Sequence, residues 1–133
     1  MIGNSGSALV LEAIESGLGE HFDVRTIQSA LLKQSTQPVP TNARTDCEHY
    51  LKEGYVSMEA SDVSASLTVT FAYDDFVLAG ISKYVGDLTS SGEADKRSKN
   101  YEKVWSPDHG YICPKSVNGT FYCPKTSTGP DAW

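Results

Sequence analysis

Apolar residues recur along the first part of the chain with the period of a helix. Leu11, Ile14, Leu18 and Phe22 stand three or four positions apart, and Val24, Ile27 and Leu31 resume the stripe. The pattern predicts an amphipathic helix over residues 8–33. Ser7 is placed to cap it, because a serine hydroxyl can accept from an orphan N–H of the first turn. Gly17 and Gly19 each weaken the middle by about 1 kcal/mol relative to alanine. Asp23 can cap a restarted segment, so a bend or break is expected between residues 19 and 23. A helix with one apolar face must lay it on something, most simply a sheet.

In "STQPVPTNART", Pro38 and Pro40 forbid further helix, and the Ser, Thr and Asn around them make a surface connection. "CEHYLKE" reads as a helical turn or a loop. Past Gly54 the period becomes two. "YVSMEA" and "SLTVTFA" alternate, with Leu67, Val69 and Phe71 on one face and Ser66, Thr68 and Thr70 on the other. This is the signature of a half-buried antiparallel strand. "YDD" (Tyr73 to Asp75) is then a turn and "FVLAGISKYV" a less regular strand. "GDLTSSGEADKRSKNYE" is a long exposed loop, "KVWS" and "GYIC" form a last strand, and "TSTGPDAW" is an irregular end where Trp133 packs or frays. The expected architecture is α+β, an N-terminal amphipathic helix packed on an antiparallel sheet of about four strands. "MIGNSGS", residues 1–7, reads as an initiator and linker, and residues 8–133 as a single globular domain.

Composition narrows the function. The chain has 133 residues, 39% of them apolar and 21% charged, which suits one folded domain. Its formal charge of −6 disfavours general nucleic-acid binding, which needs many phosphate contacts. No stretch approaches the roughly 18 apolar residues of a membrane-spanning helix. The start lacks the basic n-region of a signal peptide, and its linker-like character leads us to expect that something upstream was cut away.

Candidate chemistry centres on "GYICPKSVNGTFYCPK", where an aromatic, a cysteine, a proline and a lysine occur twice. Asn118-Gly119 favours a tight turn. A fold-back there would bring Cys113 and Cys123 within bridging reach, and closing that loop would stabilise the chain by roughly 3 kcal/mol. Other readings stand beside this staple. Cys113, Cys123, Cys47 and one of His21, His49 or His109 could supply tetrahedral zinc ligands, although no CxxC or HxxxH supports that set. A redox pair would favour CxxC spacing, which is absent. Cys47 could also take one of the other cysteines as its partner. Cys47 and His49 in "DCEHY" invite a nucleophile–base reading, without a Gly-rich oxyanion turn to support it. Lys96, Arg97, Lys99 and Tyr101 in "DKRSKNYEK" combine cations with an aromatic, a recipe for single-stranded nucleic acid, although Asp95 and Glu102 sit inside the run. Asn118-Gly119-Thr120 fits the N-glycosylation pattern. No phosphate-binding loop, nucleophile elbow or zinc-protease helix occurs. No cofactor or metal is expected, and the chain reads as a presenting or assembling domain rather than an enzyme.

The order of parts resembles the globular head of a type IV pilin, including minor pilins and pseudopilins. The resemblance lies in a helix ending at "PVPTNAR", then "GYVSMEA", "SLTVTFA" and "LAGISKYV", with a tryptophan in "KVWS" before a cysteine-bounded loop. It implies a filament subunit at the cell surface or outside the cell. Ala8 to Lys33 would be the amphipathic half of a long helix, whose missing apolar half anchors the subunit in the membrane and drives assembly. Cys113 and Cys123 would be the disulfide that closes a displayed loop. Lys115, Ser116, Val117, Asn118, Gly119 and Thr120, with Lys96, Arg97, Lys99 and Tyr101, would contact partners. Those partners would be other filament subunits, a host or abiotic surface or, as a lesser alternative, DNA. The rival expectation is a small secreted effector or toxin-like protein acting as a soluble monomer, its disulfide conferring durability. A weaker third is a hydrolase using Cys47 and His49.

Overall fold

The computed structural model of the chain describes residues 5–37, 44 and 47–123. Helix α1 spans Ser5–Glu15 and is followed by a 3-10 turn, Gly19–His21. Helix α2 spans Val24–Thr36, with Asp23 as N-cap: its carboxylate accepts from Thr26 N at 3.1 Å. Ser7 lies inside α1 and is buried; it does not cap the helix. The Pro38–Pro40 connection and the tail carrying Trp133 fall outside the described residues. The short helix α3, Cys47–Glu53, ends at Gly54, whose φ of +76° suits a residue without a side chain.

The alternating segment is where expectation and fold part. Residues 64–84 form one helix, α4 (Ser64–Tyr84), rather than two strands and a turn. Leu67 and Phe71 share its inner face because they lie one turn apart, while Val69 points away. A two-residue alternation and a helical stripe coincide at Leu67 and Phe71, and the apolar outward Val69 completed the false strand pattern. The inner face continues through Val77, Leu78 and Ile81. It also carries Thr68, Asp75 and Ser82, each fully buried and spaced about two turns apart. These polar residues on the inner face, and apolar ones outside, erase the usual amphipathic signal. The expected exposed loop is helix α5 (Leu88–Ser98), then a 3-10 turn over Asn100–Val104. Gly86, at φ +83°, ends α4, and Asp87 caps α5 by accepting from Ser90 N at 3.1 Å.

The helices α1, α2 and α5 all pack on α4. Ile14 and Val24 meet Val77 and Ile81 in one core cluster; Tyr50 and Val56 meet Leu67 and Phe71 in another; Ala94 of α5 meets Leu78 and Ala79 in a third. Gly80 is the close-approach point of α1: a Cβ there would lie 2.8 Å from Leu11 Cδ1. The only sheet among the described residues is a two-stranded antiparallel ribbon, β1 (Trp105–Ser106) and β2 (Tyr111–Ile112). The amphipathic helix therefore rests on another helix, and the expected helix on a four-stranded sheet is replaced by a mainly helical fold. "YVSMEA" contributes no strand; it crosses from α3 to α4 as turns.

Candidate functional site: a sealed charge cluster and an open apolar face

At the centre of the inner face, Asp75 is held from both sides. Arg44 Nη1 donates to Oδ1 at 3.0 Å, and Arg97 donates from Nε to Oδ2 at 3.2 Å and from Nη2 to Oδ1 at 3.3 Å. The Tyr50 hydroxyl lies 3.0 Å from Asp75 Oδ2 and 3.0 Å from the Arg97 carbonyl oxygen. Arg44 also pairs with Asp74 at 3.7 Å, donates to the Phe71 carbonyl at 3.2 Å, and stands 5.3 Å from the Phe71 ring centroid. The Phe71 ring meets Tyr50 edge-on. Two guanidiniums and two carboxylates thus balance, each charged hydrogen bond strengthened by burial. The cluster joins α3, α4 and α5 to the segment at residue 44.

This cluster is not positioned to catalyse. A general acid or base must reach the proton it moves, and Asp75 is 0% exposed. Burial, and then the charge of Asp75, push the Tyr50 phenol far above its ordinary range. Burial likewise raises the thiol of Cys47, whose Sγ lies 3.5 Å from the Ser35 carbonyl oxygen. His49 stands on the exposed side of α3 while Cys47 is buried, so the two do not form a nucleophile–base dyad.

The residues singled out in the sequence fall in two places. Cys113 and Cys123 are disulfide-bonded to each other, which withdraws both thiols from any zinc set. The chain between them turns back at Gly119, φ +88°, with Lys115 bridging to Phe121. Lys115 and Ser116 engage the body of the molecule. Met58 N donates to the Lys115 carbonyl at 3.0 Å, and the Tyr55 hydroxyl to the Ser116 carbonyl at 2.8 Å. Lys115 Nζ lies 4.7 Å from the Phe121 ring centroid. Glu59 accepts from the Ser116 hydroxyl and, at 3.1 Å, from Val117 N. Val117, Asn118, Gly119 and Thr120 are exposed. In the other group, Lys96 and Lys99 are exposed, whereas Arg97 turns inward to Asp75. Among the described residues, no three His, Cys, Asp or Glu side chains gather as a cation site.

Tyr101 has different company. With Ser98 and Lys99 it faces Val69, Ala72, Tyr73 and Phe76 of α4 across a hollow of about 240 Å³. A second hollow, about 470 Å³, is lined by Val63, Ala65, Ser66, Val69, Thr70 and Ile112, so the two meet at Val69. Tyr73 and Phe76 are each 54% exposed, and their rings stack at 6.4 Å between centroids. The strand reading hid both features. It put Asp74 and Asp75 in a surface turn and split the outer stripe of α4 between two strands. The one signal that could have revealed them is that Val69, Tyr73 and Phe76 recur at three- and four-residue spacing.

The sequence matches the glycosyl hydrolase family 92 catalytic domain over residues 1–133. The chain belongs to that family. Its fold superposes on the family GH92 inverting mannosidase of Bacteroides thetaiotaomicron with a TM-score of 0.86 at 23% identity, covering 97% of this chain and 18% of that one. A family GH92 alpha-mannosidase of the same organism gives a TM-score of 0.84 at 22% identity, covering 98% and 17%. The latter's complex with mannoimidazole gives 0.83. The family 92 chain described here spans less than a fifth of the length of these solved relatives. No curated protein matches it.

Family 92 membership overturns the pilin resemblance, which rested on strands that are helical. The filament subunit falls with it, as do the secreted effector, the partnership with filament subunits, surfaces or DNA, and membrane anchoring through a missing helix. The expectation of a non-enzymatic domain falls too, since the matched family is one of glycoside hydrolases.

Proposed function

We propose that this chain forms the helical scaffold of a family 92 glycoside hydrolase that cleaves α-linked mannosides with inversion at the anomeric carbon. The observation that carries this reading is the match of the whole chain, residues 1–133, to the family 92 catalytic domain. Its similarity to an inverting mannosidase supports the substrate and the stereochemistry. Inversion needs an acid and a base flanking the glycosidic bond, roughly 6.5–9.5 Å apart, with room for water between them. Asp74 and Asp75 are adjacent, buried and paired with guanidiniums, so they are not that pair. In this reading they hold the helical scaffold together, and the reacting carboxylates are other residues of the catalytic domain. The Cys113–Cys123 bridge supports work in an oxidising compartment outside the cytosol.

The test is a chimera in which residues 1–133 replace the matching segment of the Bacteroides thetaiotaomicron inverting mannosidase. It is assayed on 4-nitrophenyl α-mannoside, with the first-formed anomer followed by proton NMR. The expected result is hydrolysis releasing β-mannose, with no hydrolysis by the isolated chain. A folded chimera that leaves α-mannosides intact, or one that releases the α-anomer first, would refute the proposal.

A further inference from the structure

The outer side of α4 raises a question that hydrolysis does not answer. A helix at a protein surface normally turns polar residues to water. The exposed positions of α4 are instead Ser66, Val69, Tyr73, Phe76, Lys83 and Tyr84, and those from Val69 to Phe76 are all apolar or aromatic. The two hollows along it share Val69 as a wall, and their walls include Ile112 and Tyr101 from beyond α4. Among the described residues no aspartate or glutamate lines either hollow. An acidic protein that keeps its described carboxylates off an apolar face marks that face as something other than a hydrated surface.

We infer that this face is a docking surface for the remainder of a family 92 catalytic domain, which lays an apolar face of its own against Val69, Tyr73, Phe76 and Tyr101. The inference rests on the family 92 reading, and two observations select this occupant. The same fold recurs in the solved relatives over 97–98% of this chain, yet makes up only 17–18% of theirs. In those proteins this unit is accompanied by several times its own length of polypeptide. The lining is also too poor in hydrogen-bonding groups for a glycan, which needs donors and acceptors as well as a ring to stack on: among its described residues only Ser66, Thr70, Ser98, Lys99 and the tyrosines carry polar side chains. A helix with apolar residues on both of its sides belongs between two layers. The α1, α2 and α5 layer covers one side of α4, and the occupant covers the other.

The test compares Phe76→Glu and Tyr73→Glu with Leu88→Glu, an equally drastic change at a 71% exposed apolar position on α5 that borders neither hollow. Each is placed both in the isolated chain and in the chimera, and melting is followed by circular dichroism. In the isolated chain all three variants should melt within about 2 °C of the parent, as surface substitutions do. In the chimera, Phe76→Glu and Tyr73→Glu should lower the midpoint by roughly 5 °C or more, and Leu88→Glu should not. Equal shifts for all three in the chimera would overturn the inference, as would a chimera that fails to fold although both parents fold. It would also fall if the isolated chain dimerised through this face, with Phe76→Glu restoring the monomer in sedimentation, or if mannobiose shifted the NMR signals of Tyr73 and Tyr101. The readout is independent of catalysis. A folded, inactive chimera that is sensitive at Phe76 defeats the proposed function alone; an active chimera indifferent at Phe76 defeats the docking surface alone.

Discussion

Around Asp75 the chain gathers two acidic and two basic side chains from four segments of backbone, all but Arg97 buried. From Cys113 to Cys123 only Cys113 and Ser116 are buried, and Val117 and Tyr122 are more than half exposed. The helical body is cooperative: residues 44, 50, 75 and 97, distant in sequence, must arrive together for any of their charges to be satisfied. The C-terminal hairpin is local. One covalent bond spanning ten positions closes it, and hydrogen bonds to residues 55–59 and 103 lay it on the body. The contrast teaches where each region is vulnerable. A buried ionic hub fails when one partner is removed, because the others are stranded in a low dielectric. A stapled flap fails by reduction, and the body should outlast it.

The largest expected effect comes from breaking the hub. Asp75→Asn keeps the shape but removes the charge that faces both Arg44 and Arg97, leaving Arg44 with Asp74, and should cost about 3–5 kcal/mol in urea unfolding. Tyr50→Phe removes only one hydroxyl from the same place and should cost about 1–2 kcal/mol. If both variants lose the same small amount, the hub does not hold the body. Next in size, replacing Cys113 and Cys123 by serine should lower stability by roughly 3 kcal/mol on the loop-entropy account. Far-UV circular dichroism should retain the helical signal while amide exchange at Lys115 to Phe121 quickens. Helix loss in step with the hairpin would mean that the two regions form one unit.

The smallest effect concerns the seam between them. The Ser116 hydroxyl, followed by Glu59's own backbone amide and then the Val117 amide, holds the Glu59 carboxyl below its ordinary range. A folded-state pKa lower than the unfolded one means that the contribution is present above the unfolded value. It is lost as pH falls through the folded one. Protection of the Val117 amide should therefore persist at neutral pH and decline at acidity beyond the usual glutamate range, while Glu59→Gln should show no such titration. An acid transition equally present in Glu59→Gln would place the seam elsewhere.

Some of this was legible in the residues. Helical periodicity over 8–33, the glycines that interrupt it and Asp23 at its restart are local signals, and local backbone chemistry settles them. So does the Asn118-Gly119 turn. Gly86-Asp87 is equally legible as a helix stop and start, but α5 is so polar that the segment reads as an exposed loop. That helix packs through Ala94, and Ser91 donates to the Ala79 carbonyl at 2.9 Å, contacts too small to leave an apolar stripe.

Sequence by itself determined a few short-range features: the interruption of the first helical stretch, its restart at Asp23 and the turn at Asn118-Gly119. Tertiary structure alone decided what residues 64–84 became. Leu67, Val69 and Phe71 satisfy a strand and a helix equally, and two adjacent aspartates argue for a turn. The helix is favoured because Asp75 finds Arg44, 31 residues before it, and Arg97, 22 residues after it. No window along the chain contains that interaction, since a buried carboxylate becomes tolerable only when distant cations fold in to meet it.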